Sequence, residues 1–342
     1  MGTATTHEGG RIEVKGLSKH FGQVAAVQDL TFAVEPGRVT GFLGPNGAGK
    51  TTTLRMLLAL VAPTSGSATI GGIPYADLTE PQRRVGAALE ASSFHPGRSA
   101  RNHLRVLGRT CGMGTDRADE LLDLVGLTAA ARRRAGGFSL GMRQRLGLAS
   151  ALVGDPSVLI LYEPANGLDP EGIRWLRSFL RRLAEEGRTV LVSSHMLSEV
   201  QQTVDDVVII SRGRLVHQSS LAGLEAMSAG GVRVKSPDPD GLRDLASQHQ
   251  WKSAATADGA MRVVAPIAEV GRACFVGGVE LHELSTERSG LEATFFDLVG
   301  GGAADGSQVG QVGQAGQVGH IGGTPEHDLD RETGNPSKEV AR

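Results

Sequence analysis

Cysteine is scarce: the 342-residue chain carries only Cys111 and Cys274, far apart in sequence. Two distant thiols cannot staple a small scaffold, which excludes a disulfide-built secreted domain and fits a reducing compartment. Long apolar runs are missing as well, since none approaches the roughly 20 residues needed to span a bilayer. Met1 to Gly10 has no charged stretch followed by an apolar core, so no secretion signal is expected there. The net charge of −2 supplies no bulk basic field for nucleic acid. No heptad run and no basic tail occurs either. These absences predict a chain that is cytosolic by itself, with any membrane function carried by a partner.

What is present is ordinary for a globular protein: 40% hydrophobic and 21% charged residues. The length predicts two or three domains and ample core. Residues 11–224 read as α/β. The runs Val39–Leu43, Val85–Leu89, Val158–Leu161, Thr189–Ser193 and Val207–Ser211 are nearly continuously apolar, as centrally buried parallel strands are. Ile173, Leu176, Phe179, Leu180 and Leu183 recur at helical spacing after Pro170, a residue suited to a first helical turn. Residues 99–153 are helix-rich and carry the run Arg132-Arg133-Arg134, which predicts a helical insertion.

The pattern changes over residues 231–299. Strands are expected at Val232–Lys235, Trp251–Thr256, Met261–Val264 and Val279–Leu284, and helices at Leu242–His249, Ile267–Phe275 and Leu291–Leu298. That order resembles a split βαβ, ferredoxin-like unit. Residues 300–342 are rich in Gly, Gln and Val, repetitive, then polar. They lack the apolar surface to offset ordering entropy and are expected to be a disordered tail.

Gly44-Pro45-Asn46-Gly47-Ala48-Gly49-Lys50-Thr51 fits G-x-x-x-x-G-K-[ST] between the apolar run Val39–Leu43 and a helix expected over Thr51–Leu60. Glycines let backbone N–H groups wrap phosphates without a Cβ in the way. A helix N-terminus adds positive potential. Lys50 is expected to reach the β- and γ-phosphates, and the Thr51 hydroxyl, with Thr52 beside it, to stand at Mg²⁺. Many families share this loop, so by itself it says nucleotide and no more.

Further segments narrow the reading. They are Phe138-Ser139-Leu140-Gly141-Met142-Arg143-Gln144-Arg145, then Val158 to Pro170 with Tyr162, Glu163 and Asp169, then Ser193-Ser194-His195. Upstream stand Lys19-His20-Phe21-Gly22 and the stretch from Val85 containing Glu90. In this order they resemble the ATP-binding subunit of an ABC transporter, of the bacterial drug- or antibiotic-exporter type. The segments correspond to its signature, its Walker B strand with catalytic glutamate and D-loop, its switch histidine, its adenine-stacking aromatic and its Q-loop. Residues 215–300, ending LEATFFDLVG, look similar to the C-terminal extension of such subunits.

The resemblance implies an ABC-type P-loop NTPase core with a helical subdomain, plus the small α+β extension. It implies ATP and Mg²⁺ as ligands, a second ATP-binding subunit held head to tail, and an integral membrane permease. The subunit would sit on the cytoplasmic face of the membrane. Phe21 would stack on adenine and Ser139 to Met142 would face the partner's phosphate loop, with Asp169 beside them. Glu163 and His195 would act with Lys50 in hydrolysis, and Glu90 would touch Mg²⁺ alongside Thr51. The extra partners of an ABC protein acting on nucleic acid, a second cassette or a coiled-coil insertion, are not in the sequence.

Two positions depart from the family. Tyr162 stands where the family has the aspartate that helps hold Mg²⁺. A tyrosine, neutral near pH 7 and bulkier, is a poor substitute for a carboxylate ligand. ATP binding with reduced hydrolysis is therefore expected. Glu90 stands where the family has glutamine.

Overall fold

The computed structural model describes residues 10–89, 94–227, 231–256, 259–286 and 291–301. Three sheets organise them. β1 (Ile12–Phe21) and β2 (Val24–Val34) pair antiparallel, and β4 (Ser65–Ile70) pairs with the other edge of β1. The central sheet contains β3 (Val39–Leu43), β5 (Val85–Ala88), β6 (Val158–Tyr162), β7 (Thr189–Ser194), β8 (Asp206–Ser211) and β9 (Arg214–Ser220). Its order is β5-β6-β7-β3-β8-β9, parallel except for the β8–β9 hairpin.

The apolar character of these strands follows from burial on both faces. Phe42, Val158, Ile160, Leu191, Val208 and Ile210 face the β1–β2–β4 layer and α1 (Lys50–Leu57). Their neighbours Val39, Leu43, Leu159, Leu161, Val190, Val192, Val207 and Ile209 face a helical layer. A strand with period-2 side chains and apolar cover on either side has no polar position to spare. The expected strand Val207–Ser211 begins one residue earlier, at Asp206. The expected helix from Thr51 begins at Lys50 and stops at Leu57 rather than Leu60. Ala59 there takes a left-handed φ of 55°, and the Leu60 N–H turns back to the Arg55 carbonyl.

After α2 (Pro81–Arg84), residues 99–153 hold α3 (Ala100–Thr110), α4 (Arg117–Leu124) and α5 (Leu140–Ala151). Leu104, Leu121, Leu122, Val125 and Leu146 join them into one core with the sheet. α6 (Pro170–Glu185) starts at Pro170 behind the cap Asp169 and buries Leu176, Phe179, Leu180 and Leu183. α7 (Leu197–Val200) follows β7, and α8 (Leu221–Met227) follows β9.

Next come β10 (Val232–Lys235), α9 (Pro239–Gln248), β11 (Lys252–Ala255), β12 (Met261–Val264), α10 (Ile267–Val276) and β13 (Glu283–Thr286). The sheet order is β11-β12-β10-β13, every neighbour antiparallel, a β-α-β-β-α-β unit with its own core around Val232, Val234, Val263, Val270 and Cys274. The last strand was expected at Val279–Leu284. It instead begins at Glu283, because Val279 closes α10 with a bond to the Cys274 carbonyl, and Leu281 packs on the unit's core from a loop.

The sequence groups the last helix, α11 (Leu291–Gly301), with the C-terminal unit. In space it belongs to the first core. Phe295 is buried there with Leu291, Leu298 and Val299 against it, touching α7, α8, β8 and β9. The tail over residues 302–342 lies outside the described residues.

Candidate nucleotide-binding site

β3 is wholly buried and delivers the chain to Gly44 at the carboxyl edge of the sheet. The loop then closes onto α1, whose cap is Gly49 at φ 103°. A Cβ at Gly49 would meet the Ala26 carbonyl at 2.6 Å, so this position takes glycine for both its backbone and its space. No side chain caps the helix and its first turn has no acidic residue. Its leading N–H groups therefore remain available to an anion.

Lys50 is buried, and its Nζ donates to the carbonyls of Gly44 at 2.5 Å and Pro45 at 3.2 Å. Burial pushes the ammonium below the ordinary lysine range, and the negative charge of Glu163 offsets part of that. A cavity of about 440 Å³ opens over the loop. Asn46, Gly47, Ala48, Gly49, Lys50, Thr51 and Thr52 of the loop and helix start line it, together with Val24, Ala25, Ala26, Gln28, Tyr162 and Arg212. Among the described residues the lining includes no carboxylate.

Tyr162 ends β6, paired with Ser193 of β7. Glu163 follows with φ 46°, a left-handed backbone that costs a non-glycine residue roughly 1–2 kcal/mol. Its N–H donates to the Ser193 carbonyl at 2.9 Å, which holds the turn. The turn brings Oε1 of Glu163 within 3.2 Å of Nδ1 of His195, just past the end of β7. The Gln144 amide of α5 donates to the carbonyls of Glu163 and Asn166 at 3.4 and 3.3 Å. The helical layer is thereby tied to the turn bearing the carboxylate.

The remaining expected residues lie elsewhere on this chain. Ser139 caps α5, accepting from the Met142 N–H at 3.3 Å, with Leu140 exposed and Gly141 next to the Gly167 carbonyl. Asp169 caps α6, accepting from the Gly172 N–H at 2.8 Å. Phe21 is exposed at the β1–β2 turn with the Lys19 ammonium 5.0 Å from its ring centroid. None of Phe21, Ser139, Leu140, Gly141, Met142 and Asp169 lines the phosphate-loop cavity. Glu90 lies outside the described residues. Sequence reasoning quoted Gln144 within the Phe138–Arg145 segment without giving it a role, and missed Gln28 and Arg212. Only the last had a local signal, an Arg212-Gly213 pair between two apolar runs.

A second cavity, about 310 Å³, lies between β5 and the helices α3 and α5. His103 lines it, only 6% exposed, with Nε2 3.1 Å from the Ser150 hydroxyl and, among the described residues, no partner for Nδ1. Burial lowers the imidazole below its usual value, and the positive charge of Arg98 lowers it further.

A parallel sheet whose strand runs into a glycine loop and a helix N-terminus, with lysine and threonine opening the helix, defines a P-loop nucleotide-binding ATPase. The ABC transporter family profile matches residues 27–166, and a domain of unknown function (DUF8746) matches residues 230–292. The chain is 38% identical over 299 residues to the bacitracin transport ATP-binding protein BcrA of Bacillus licheniformis, covering 85% of this chain and 98% of the relative. It is 38% identical over 240 residues to the Nod factor export ATP-binding protein I of Paraburkholderia xenovorans, covering 68% of this chain and 79% of that protein. A solved ATP-binding subunit of an ABC transporter superposes with a TM-score of 0.58 at 28% identity, over 63% of this chain and 92% of its own. The dimeric bacterial ABC transporter cassette MJ0796 shares the fold, with a TM-score of 0.57 at 24% identity over 61% of this chain and 98% of its own. The chain belongs to the ABC transporter family, as an ATP-binding subunit of the exporter type and an ATPase coupled to transport.

Proposed function

We propose that the chain binds MgATP at the phosphate loop and energises export of a small molecule through a separate permease, with hydrolysis slowed by Tyr162. The observation that carries this is that Tyr162, standing where the family places an aspartate, lines the same cavity as Lys50 and Thr51. The relative named for Nod factor export supports the direction of transport, and the one named for bacitracin transport supports a small-molecule cargo. No helix among the described residues is long and apolar enough to cross a membrane. The permease and the place at the cytoplasmic face of the membrane rest on the likeness to transport ATP-binding proteins. A second ATP-binding subunit would meet the exposed start of α5, at Ser139 to Met142, with its own phosphate loop. Asp169 and, on adenine, Phe21 would complete the contacts.

The cradle fits a nucleotide polyphosphate: free helix N–H groups, a lysine in its lining and, among the described residues, no carboxylate. It fits Mg²⁺ less completely. Thr51 offers a hydroxyl, Glu90 is a candidate outside the described residues, and Tyr162 offers no carboxylate. Mg²⁺, held mainly by the phosphates, would neutralise their charge. Lys50 would leave the Gly44 and Pro45 carbonyls for the β- and γ-phosphates. Glu163 would orient the attacking water, with His195 holding that carboxylate and approaching the γ-phosphate. With one metal ligand lost, a 10–100-fold penalty of roughly the outer-shell kind is expected.

The test is MgATP hydrolysis and ATP affinity for the natural chain and for Tyr162→Asp. A variant at least about tenfold faster at equal ATP affinity places at least about 1.4 kcal/mol of barrier at position 162. Equal turnover removes the slowed-hydrolysis part and leaves a plain exporter ATPase. Tyr162 also favours a second reading, an ATP-binding but hydrolysis-poor subunit in an asymmetric dimer. Under that reading, turnover appears only when a catalytic partner subunit is added.

A further inference from the structure

The hairpin between β8 and β9 turns on Arg212 and Gly213, at φ 49° and 78°. Two successive residues at positive φ are what the tightest right-twisting hairpin turn needs. Glycine, asparagine and aspartate accept the first of these places readily; a long side chain without a local hydrogen bond does not. Strain kept at such a position points to a use for the side chain that bears it.

This turn is also laced to the phosphate loop. The Gly213 N–H donates to the Ala48 carbonyl at 2.9 Å, and the Gln28 N–H donates to the Gly213 carbonyl at 2.8 Å. The Gln28 side chain donates to the Arg212 carbonyl at 3.1 Å and accepts from Arg214 at 2.8 Å. The backbone of Arg212 is thus fixed relative to Ala48, while its exposed side chain lines the same cavity as Lys50 and Thr51. Among the described residues its guanidinium makes no hydrogen bond or ion pair. Arg212 also lines a neighbouring cavity with Asp297 of α11, without pairing to it.

We propose that Arg212 is a nucleotide-binding residue, whose guanidinium engages the phosphates of ATP as a second cation beside Lys50. The inference rests on the nucleotide reading above and adds a residue to it. Lys50 is buried and turned onto its own loop, whereas Arg212 is the exposed cation among the described lining residues. A guanidinium presents a planar fork of donors matched to phosphate oxygens, and charge-assisted bonds of that kind are the strong ones.

The experiment is calorimetric titration of ATP and AMP into the full chain at low and moderate salt. The variants are Arg212→Gln, Arg212→Lys, Arg212→Gly and Lys50→Ala. Arg212→Gln is expected to weaken ATP by roughly five- to tenfold, to flatten the salt dependence and to affect AMP much less. Arg212→Lys should keep part of the affinity. Arg212→Gly relieves the backbone, so it should melt no lower than the natural chain yet lose ATP affinity as the glutamine variant does. The proposal is overturned if the glutamine and glycine variants bind ATP within about twofold of the natural chain while Lys50→Ala loses it. Equal losses for ATP and AMP also overturn it, since they assign Arg212 to the nucleoside. If Lys50→Ala binds ATP as tightly as the natural chain, the phosphate-loop reading itself falls and takes this proposal with it.

Discussion

Oε1 of Glu163 lies 3.2 Å from Nδ1 of His195, each just past the end of its strand. The pairing follows from register: Tyr162 and Ser193 are partners on adjacent parallel strands, so the residues beyond them emerge at the same edge. That is the carboxyl edge, where open α/β sheets bind ligands. Glu163→Gln is expected to reduce MgATP turnover by ~100-fold or more while ATP still binds. His195→Ala should slow turnover too, and the double variant should be little worse than Glu163→Gln, because the two act as one unit. Single-turnover hydrolysis with a parallel ATP titration checks this; additive losses would separate the two groups.

The buried ammonium of Lys50 predicts a pH dependence. Its folded-state pKa is lowered, so the empty chain loses that proton below the ordinary lysine value of about 10.4. ATP binds the charged form, so affinity should fall as pH rises through the lowered value, by up to roughly tenfold per unit. The unfolded chain keeps the proton to higher pH, so the empty fold gains stability over the same window. Lys50→Arg stays charged and should show a flat affinity profile. ATP titrations from neutral to alkaline pH distinguish the two.

His103 predicts the opposite limb. Its folded-state pKa is lowered, so its contribution is fully present above the usual value of about 6.5. Stability is then lost as pH falls from there through the lowered value, because the unfolded chain takes up a proton that the fold resists. His103→Phe should remove that component of the acid sensitivity. The Ser150 hydroxyl would still donate to the Leu146 carbonyl, so the substitution strands no donor. Denaturant midpoints measured between neutral and mildly acidic pH provide the check.

Adjacent phenylalanines on α11 should behave very differently. Phe295 is 3% exposed in the core shared with the central sheet, and Phe296 is 67% exposed. Phe295→Ala is expected to destabilise the cassette by about 3 kcal/mol or more. Phe296→Ala should change stability by no more than about 0.5 kcal/mol. Equal effects in chemical denaturation would mean that α11 is not seated on this core.

The sequence disclosed what is contiguous. The central strands were legible because burial on both faces left them almost wholly apolar, as in Leu159, Ile160 and Leu161. The phosphate loop was legible because its parts lie within a few residues. The β1–β2–β4 layer was not read as strands: its alternation is interrupted where the β1–β2 pairing shifts register between Val14 and His20, and β4 has few buried residues. Gln144 reaches a turn 19 residues away, and Arg212 meets a loop from far earlier in the chain. Neither contact leaves a local pattern, though the Arg212-Gly213 pair marks the hairpin turn itself. The seat of α11 was hidden because an amphipathic helix shows that it has a partner but not which one.

α8 precedes the β-α-β-β-α-β unit and α11 follows it, and both pack on β9. A domain hung on one linker can tumble without consequence for its host. This one is moored at both ends to the same body. Ser211 at the end of β8 donates to the Val299 carbonyl of α11, and the turn that follows holds Ala48 through Gly213. A load applied to the unit therefore arrives a few bonds from the phosphate loop, and a change in that loop has the same short route outward.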